Sequence, residues 1–154
     1  AHWASYLVKQ GNVDPKTSTQ IGIRGNPRTL DWLQASYDIG YQVITMDEYK
    51  QLGHEKCSKM ILDRLGDNPI YVTFDLDCLD ATVAPGTANL EPAFRGFNID
   101  EARKLIQSLK GKNVIGGDVA CLMPTKDSPN NITSMVAASI MFEIICLISV
   151  YRNK

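Results

Sequence analysis

Apolar and polar positions along this chain fall into two periods. Short apolar runs rich in β-branched and aromatic residues read as buried strands: "TQIGIR" (19–24), "YQVITM" (41–46), "NPIYVTFD" (68–75) and "NVIGGDVA" (113–120). Between them the apolar positions recur at helical spacing. Residues 3–10 predict a helix stopped by Gly11. A second helix has Asn26 as its N-cap, Pro27 at its first position and Gly40 as its stop. A third runs from a cap at Asp47 to about Leu65. In the fourth, Asn98 caps, Glu101 completes a capping box and Gly111 ends the helix. Residues 131–151 form the last.

Strand and helix in alternation predict an α/β fold, a parallel sheet with flanking helices. Right-handed crossovers bring the C-terminal ends of the strands to one rim, and ligands of such sheets bind outside that rim. Two long connections fall there, residues 76–97 and 121–131. Loops of the first one's length are functional or disordered. No internal repeat, low-complexity tract or inter-domain linker interrupts the pattern.

With 154 residues, 44% hydrophobic and 21% charged, the chain has the size and content of about one globular domain. A formal net charge of -1 gives no electrostatic case for nucleic acid or an anionic membrane. The most apolar stretch, "MVAASIMFEIICLISV" (135–150), is shorter than the about 20 residues of a membrane span. Glu143 sits in its middle, so we expect a helix buried in the protein or against a second subunit. Cys57, Cys78, Cys121 and Cys146 form no C-x-x-C pair, as expected of free thiols in a reducing, cytoplasmic setting. No signal peptide is visible. The start at "AHWASYL", without Met, suggests a piece of a longer protein. Trp3, Trp32 and the Met residues read as core or interface packing, and His54 as a solvated mid-helix residue.

The chemistry concentrates in "YVTFDLDCLDATVAPGT" (71–87). Asp75 and Asp77 are two apart and point the same way on an extended strand. Acids at the end of a core strand are costly to desolvate unless something positive pairs with them. The bland reading is a pair of loop acids capping backbone N–H groups. The strand context and a third acid, Asp80, favour a divalent cation, and oxygen donors favour Mg or Mn over zinc. Asp118 stays open between a structural acid and a site residue.

Two enzyme classes place a D-x-D at such a strand end. Aspartate-nucleophile phosphatases carry wording like "FDLDGTL", but Leu79 departs from it and no downstream pair of acids completes that site. The match to the ureohydrolases, the arginase and agmatinase family, is much fuller. Thr73, Phe74, Asp75, Leu76, Asp77, Asp80, Pro85, Gly86 and Thr87 fill the places of a signature of that family. "DPKTSTQIGIRGN" (14–26) resembles the strand before the agmatinase substrate loop, and "GGDVACLMPTKD" (116–127) resembles the family's last strand and Asn-Pro loop. The likeness covers nearly all of the chain, in order.

The resemblance implies an arginase/deacetylase-like α/β fold of which residues 1–154 are the C-terminal portion of a single domain. It implies two divalent ions, Mn or Ni, sharing a hydroxide that attacks the guanidinium carbon of a small guanidino compound (agmatine, guanidinobutyrate, guanidine or similar), with urea and an amine as products. Metal binding brings the pKa of such a water down to roughly 7. By the same resemblance Asp75 and Asp77 bind metal, Asp80 orients the loop, and His2 matches the family's proton-shuttling catalytic histidine, the alternative being an ordinary exposed residue. Arg24 and Asn26 stand where agmatinase-like members shape the substrate mouth. The family's other ligands, an earlier His and an Asp-x-His-x-Asp stretch, do not occur in these residues. Cys121 occupies the position of a family Glu that accepts hydrogen bonds from the substrate guanidinium. That substitution leaves open a non-catalytic partner subunit. The family implies a homo- or hetero-oligomer, trimeric or hexameric.

Overall fold

The structure, a computed structural model, describes residues 2–25, 27, 29–90 and 95–153, apart from the side chain of His2. The chain divides into two compact units, Ala1–Gly66 and Asp67–Lys154.

In the first unit, α1 (His2–Lys9) is followed by β1 (Thr19–Ile23), α2 (Gln34–Ile39), β2 (Gln42–Thr45), α3 (Met46–Leu52) and α4 (His54–Leu65). β1 and β2 pair in parallel, Thr19 opposite Gln42 and Ile21 opposite Ile44, so the helix between them is a crossover. Val43, Ile44, Met46, Tyr49, Cys57 and Ile61 are its buried core. Arg64 ties the unit's irregular segments together. Its Nε donates to the Ser18 carbonyl at 2.9 Å, and its Nη2 donates to the carbonyls of Pro15 and Gly40.

Several expectations change in this unit. Thr45, not Asp47, caps α3: its hydroxyl accepts from Glu48 N while the Glu48 carboxylate accepts from Thr45 N, a complete capping box. The single helix expected up to Leu65 is broken at Gly53. His54 therefore opens α4 instead of lying mid-helix. Its half-buried ring sits between the Tyr49 hydroxyl and the Ser58 hydroxyl, 3.4 Å from each. Trp3 and Trp32 are exposed, at 55% and 38%, which removes the core half of their expected core-or-interface role. The helix expected from Pro27 begins only at Gln34, with Leu33 at its N-cap, and the expected cap Asn26 lies outside the described residues.

In the second unit, β3 (Ile70–Asp75) pairs in parallel with β4 (Val114–Ala120), Thr73 opposite Asp118 and Asp75 opposite Ala120. Burial alternates along β3: Ile70 and Phe74 are inside, Tyr71, Thr73 and Asp75 outside. α5 (Ile99–Gln107) begins as expected, with Asn98 and Glu101 forming a capping box. α6 (Ile132–Arg152) lies along β4. It buries Thr133, Val136, Ala137, Ile140, Ile144 and Leu147, one stripe at helical spacing. Gly117 permits the approach, since a Cβ there would stand 2.9 Å from Ile144 Cγ2. Among the described helices α6 is long and apolar enough to cross a membrane. Here one face is engaged by the sheet and Gln107 Nε2 donates to Glu143 at 3.0 Å. Its other face leaves Met135, Phe142 and Ile145 exposed.

Candidate metal centre

β3 ends at Asp75, and the chain turns at once into a short 3-10 segment, Leu76–Cys78. Leu76 is fully buried and anchors the turn. Asp75 caps it, accepting a hydrogen bond from Asp77 N at 2.9 Å. The D-x-D pair is thus not two residues of one extended strand, as its spacing suggests. It is a strand end and a turn, and the turn brings the second carboxylate back beside the first.

The loop that follows is ordered over its described part. Asp80 N donates to the Phe97 carbonyl and Phe97 N to the Cys78 carbonyl, both at 3.0 Å. The Asp80 carboxylate accepts from Thr82 N, Thr82 Oγ1, Arg95 N and Gly96 N. Only glycine fits at 96, where a Cβ would lie 2.2 Å from Asp80 N. The Thr82 hydroxyl and N–H, then the Arg95 N–H, hold the Asp80 carboxyl down at about 2 against the opposing effect of burial, with the Gly96 N–H adding to them. Asp80 thus gathers both ends of this loop through these bonds. Glu91 to Phe94 lie outside the described residues.

The second long connection lies alongside the first. Ala88 N donates to the Cys121 carbonyl at 2.9 Å and Met123 N to the Gly86 carbonyl at 2.8 Å. Thr87 and Leu122 form an antiparallel bridge. Cys121 itself has φ 67, the left-handed region that non-glycine residues rarely occupy. These contacts fix its backbone directly after β4 and turn its thiol toward the acids. One ligand atom each from Asp75, Asp77 and Cys121 lies within 4.8 Å of the other two. Burial pushes the Cys121 thiol up to about 12, reinforced by the hydrogen bond it donates to Asp75 and by the negative charge of Asp75 and Asp77. Without a cation the group stays a neutral thiol.

Asp127, which no sequence pattern singles out, supports this arrangement from behind. It accepts from Thr133 N at 3.0 Å and from Ser134 N and Ser134 Oγ at 2.8 Å, so it caps α6 from five residues before the helix begins. Burial opposes its ionisation, but the Ser134 and Thr133 donors outweigh it and hold the carboxyl well below the usual range. Gly86 N donates to the Thr133 hydroxyl at 2.8 Å, which links the Pro-Gly-Thr turn to the same helix end. The nearest sequence signal is a run of Asp, Ser and Asn before an apolar helix. Which of them caps it depends on how the loop folds.

Asp118 is not part of the cluster. It lies two residues inside β4, where its Oδ1 accepts from Thr73 Oγ1 at 2.9 Å, and its carboxylate accepts from the Tyr71 hydroxyl, raising that phenol's pKa. It is a cross-strand structural acid. The side chain of His2 and the whole of Asn26 lie outside the described residues, so the structure brings together Asp75, Asp77 and Cys121 and leaves the other two unplaced.

Two carboxylate oxygens and one sulfur, convergent and backed by a hydrogen-bonded loop, are a donor set suited to a divalent ion. Among the described residues this is the one such group.

The whole chain can also be compared with known proteins. The Arginase family profile matches residues 1–147. A guanidinopropionase of Pseudomonas aeruginosa is 35% identical over 142 residues, covering 92% of this chain and 44% of that protein. An Escherichia coli agmatinase is 35% identical over 137 residues, covering 89% of this chain and 41% of that protein. The structure of proclavaminate amidino hydrolase from Streptomyces clavuligerus superposes with a TM-score of 0.85 at 30% identity, over 96% of this chain and 47% of that one. The chain thus spans less than half the length of these relatives. They lend no support to the phosphatase reading. The chain belongs to the arginase family.

Proposed function

We propose that these residues are the C-terminal portion of a ureohydrolase domain, and that the whole protein is a metal-dependent amidinohydrolase acting on a small guanidino compound to give urea and an amine. The observation that carries the reading is the meeting of Asp75, Asp77 and Cys121 at the ends of two paired parallel strands, in a chain whose relatives include a guanidinopropionase and an agmatinase.

Asp75 and Asp77 would hold the metal. A divalent ion there supplies Lewis acidity and a water acidic enough to react at neutral pH. Asp75 also keeps Asp77 in place through the Asp77 N–H. Asp80 fixes the loop that follows the D-x-D turn. Cys121, at the position of the family Glu, cannot offer the guanidinium a planar, charged pair of acceptors. A substrate small enough to be held by contacts other than that pair fits better than arginine. A second ion, with Mn or Ni as the metals in view, requires donors beyond these three. The reading includes a cytoplasmic protein that assembles into a trimer or hexamer; the exposed apolar face of α6 supports a covered surface there.

The test is urea release by the protein at its full natural length, loaded with Mn or Ni and offered a panel that includes guanidinopropionate, guanidinobutyrate, agmatine and guanidine. Turnover of one of them, lost in Asp75→Asn, is the expected result. Absence of urea from every member of the panel would overturn the reading.

A further inference from the structure

Cys121 stands at a position whose family residue is written as a substrate acceptor, yet its sulfur faces two metal-type carboxylates. We propose that Cys121 is itself a metal ligand, completing an O,O,S donor set with Asp75 and Asp77 that favours a thiophilic divalent cation over Mn. The inference rests on the metal centre proposed above.

The placement is built, not incidental. The Cys121 backbone is held in the left-handed region, its carbonyl accepts from Ala88 N, and the next residue bridges to Thr87. Little is left free but the thiol's own rotation. Donors on one ion sit about 2.0–2.3 Å from it, so they lie roughly 3–4 Å from each other. The three ligand atoms, already within 4.8 Å of one another, need only small side-chain rotations to close on a cation.

The change of donor alters which ion is preferred. Oxygen donors suit Mg and Mn, whereas a thiolate favours later first-row ions such as Co, Ni and Zn, and also Cd. Ligation is a proton exchange: the S–H bond breaks, sulfur keeps the electron pair and bonds the cation, and the proton leaves to solvent. Nothing is oxidised or reduced. The set carries three negative charges when bound, so a divalent ion offsets most of the repulsion among them.

The experiment uses the protein at its full natural length, stripped of metal and titrated with Co(II) and separately with Mn(II). Absorption reads the thiolate-to-cobalt charge-transfer band and calorimetry reads affinity. The wild type is expected to develop the band and Cys121→Ser to lose it. The preference for Co over Mn should fall in Cys121→Ser by on the order of tenfold or more. Cys121→Ala, lacking any donor, should behave like the Ser variant in the band, and unchanged circular dichroism in both shows that the fold is kept. Cys57, Cys78 and Cys146 remain in every sample, so a band that survives in Cys121→Ser overturns the proposal. An unchanged Co-to-Mn preference does the same. If Co and Mn bind, and Asp75→Asn abolishes binding, but Cys121 affects neither readout, the metal centre stands and only the thiol's role falls. If neither ion binds the wild type, both fall together.

Discussion

Gly86 lies directly against Asp127: a Cβ placed on the glycine would stand 2.8 Å from the aspartate's Cα and 2.9 Å from its Cβ. This contact joins the Pro-Gly-Thr turn to the acid that caps α6, and the Gly86 N–H completes it by donating to Thr133. Gly86→Ala must push either the turn or the cap away, and the clash is with backbone, which cannot rotate aside. Overpacking of this kind costs about 1–3 kcal/mol. Urea unfolding should show the loss, and metal affinity should fall as well, because Ala88 and Met123 pair the same turn with the Cys121 segment.

Removing the cap tests the other side of that contact. Asp127→Ala strands the N–H groups of Thr133 and Ser134 and withdraws a negative charge from the positive end of a 21-residue helix. The melting temperature should drop, with Asp127→Asn intermediate because one side-chain acceptor remains. An Asp127→Ala protein that melts with the wild type would show that α6 does not depend on this cap.

Asp80 makes a prediction in pH. Its carboxyl is held at about 2 in the folded chain, against about 4 when unfolded. A lowered folded value contributes stability that is fully present above the unfolded pKa. It disappears as pH falls from about 4 towards 2, when the folded state must take up the proton. Asp80→Asn should therefore unfold more easily at neutral pH and lose less between pH 4 and pH 2 than the wild type. Denaturant midpoints across that interval provide the check. Asp127 has the same sign, so a residual acid transition is expected to remain in the variant.

The repeated elements are legible in the sequence because each is set by local chemistry. All four strands lie within two residues of their expected bounds, and the Asn98–Glu101 spacing alone marks where α5 begins. Asp75, Asp77 and Asp80 are legible through their spacing and the Pro-Gly-Thr that follows. What is not legible depends on contacts distant in sequence or on a choice among neighbours. Thr45 and Asp47 are both good caps, and the reciprocal bond to Glu48 decides for Thr45. Asp118 carries no local sign that Thr73 lies opposite it. By position, Cys121 reads as a substrate contact. Its turn toward the acids follows from a left-handed backbone and a bond from Ala88, neither of which a sequence spells out.

Arg64 offers a test of the first unit on its own. One guanidinium donates to three backbone carbonyls, those of Pro15, Ser18 and Gly40, so it closes the turn before β1 and the end of α2 together. Hydrogen bonds from a charged donor are worth more than neutral ones, and Arg64→Ala should cost about 2–3 kcal/mol. Arg64→Lys should recover only part, because a point charge cannot reproduce the planar fork. Hydrogen exchange should show loosened amides in β1 and α2.

The D-x-D turn separates a structural from a ligating role within one residue. Asp75 both accepts from Asp77 N and faces the Cys121 thiol. Asn at position 75 keeps an oxygen that can accept the same N–H, so the turn should persist, with a melting temperature near that of the wild type. What Asn lacks is the negative charge that ligates a divalent ion. Affinity for added metal should fall by at least on the order of 100-fold, read by calorimetry on the metal-stripped protein. Asp77→Asn should match it in affinity. Unlike Asp75→Asn, it leaves the bond to Asp75 untouched, because that bond uses the backbone N–H. If Asp75→Asn instead unfolds the chain while Asp77→Asn binds metal normally, the pair is a structural cap and the centre lies elsewhere.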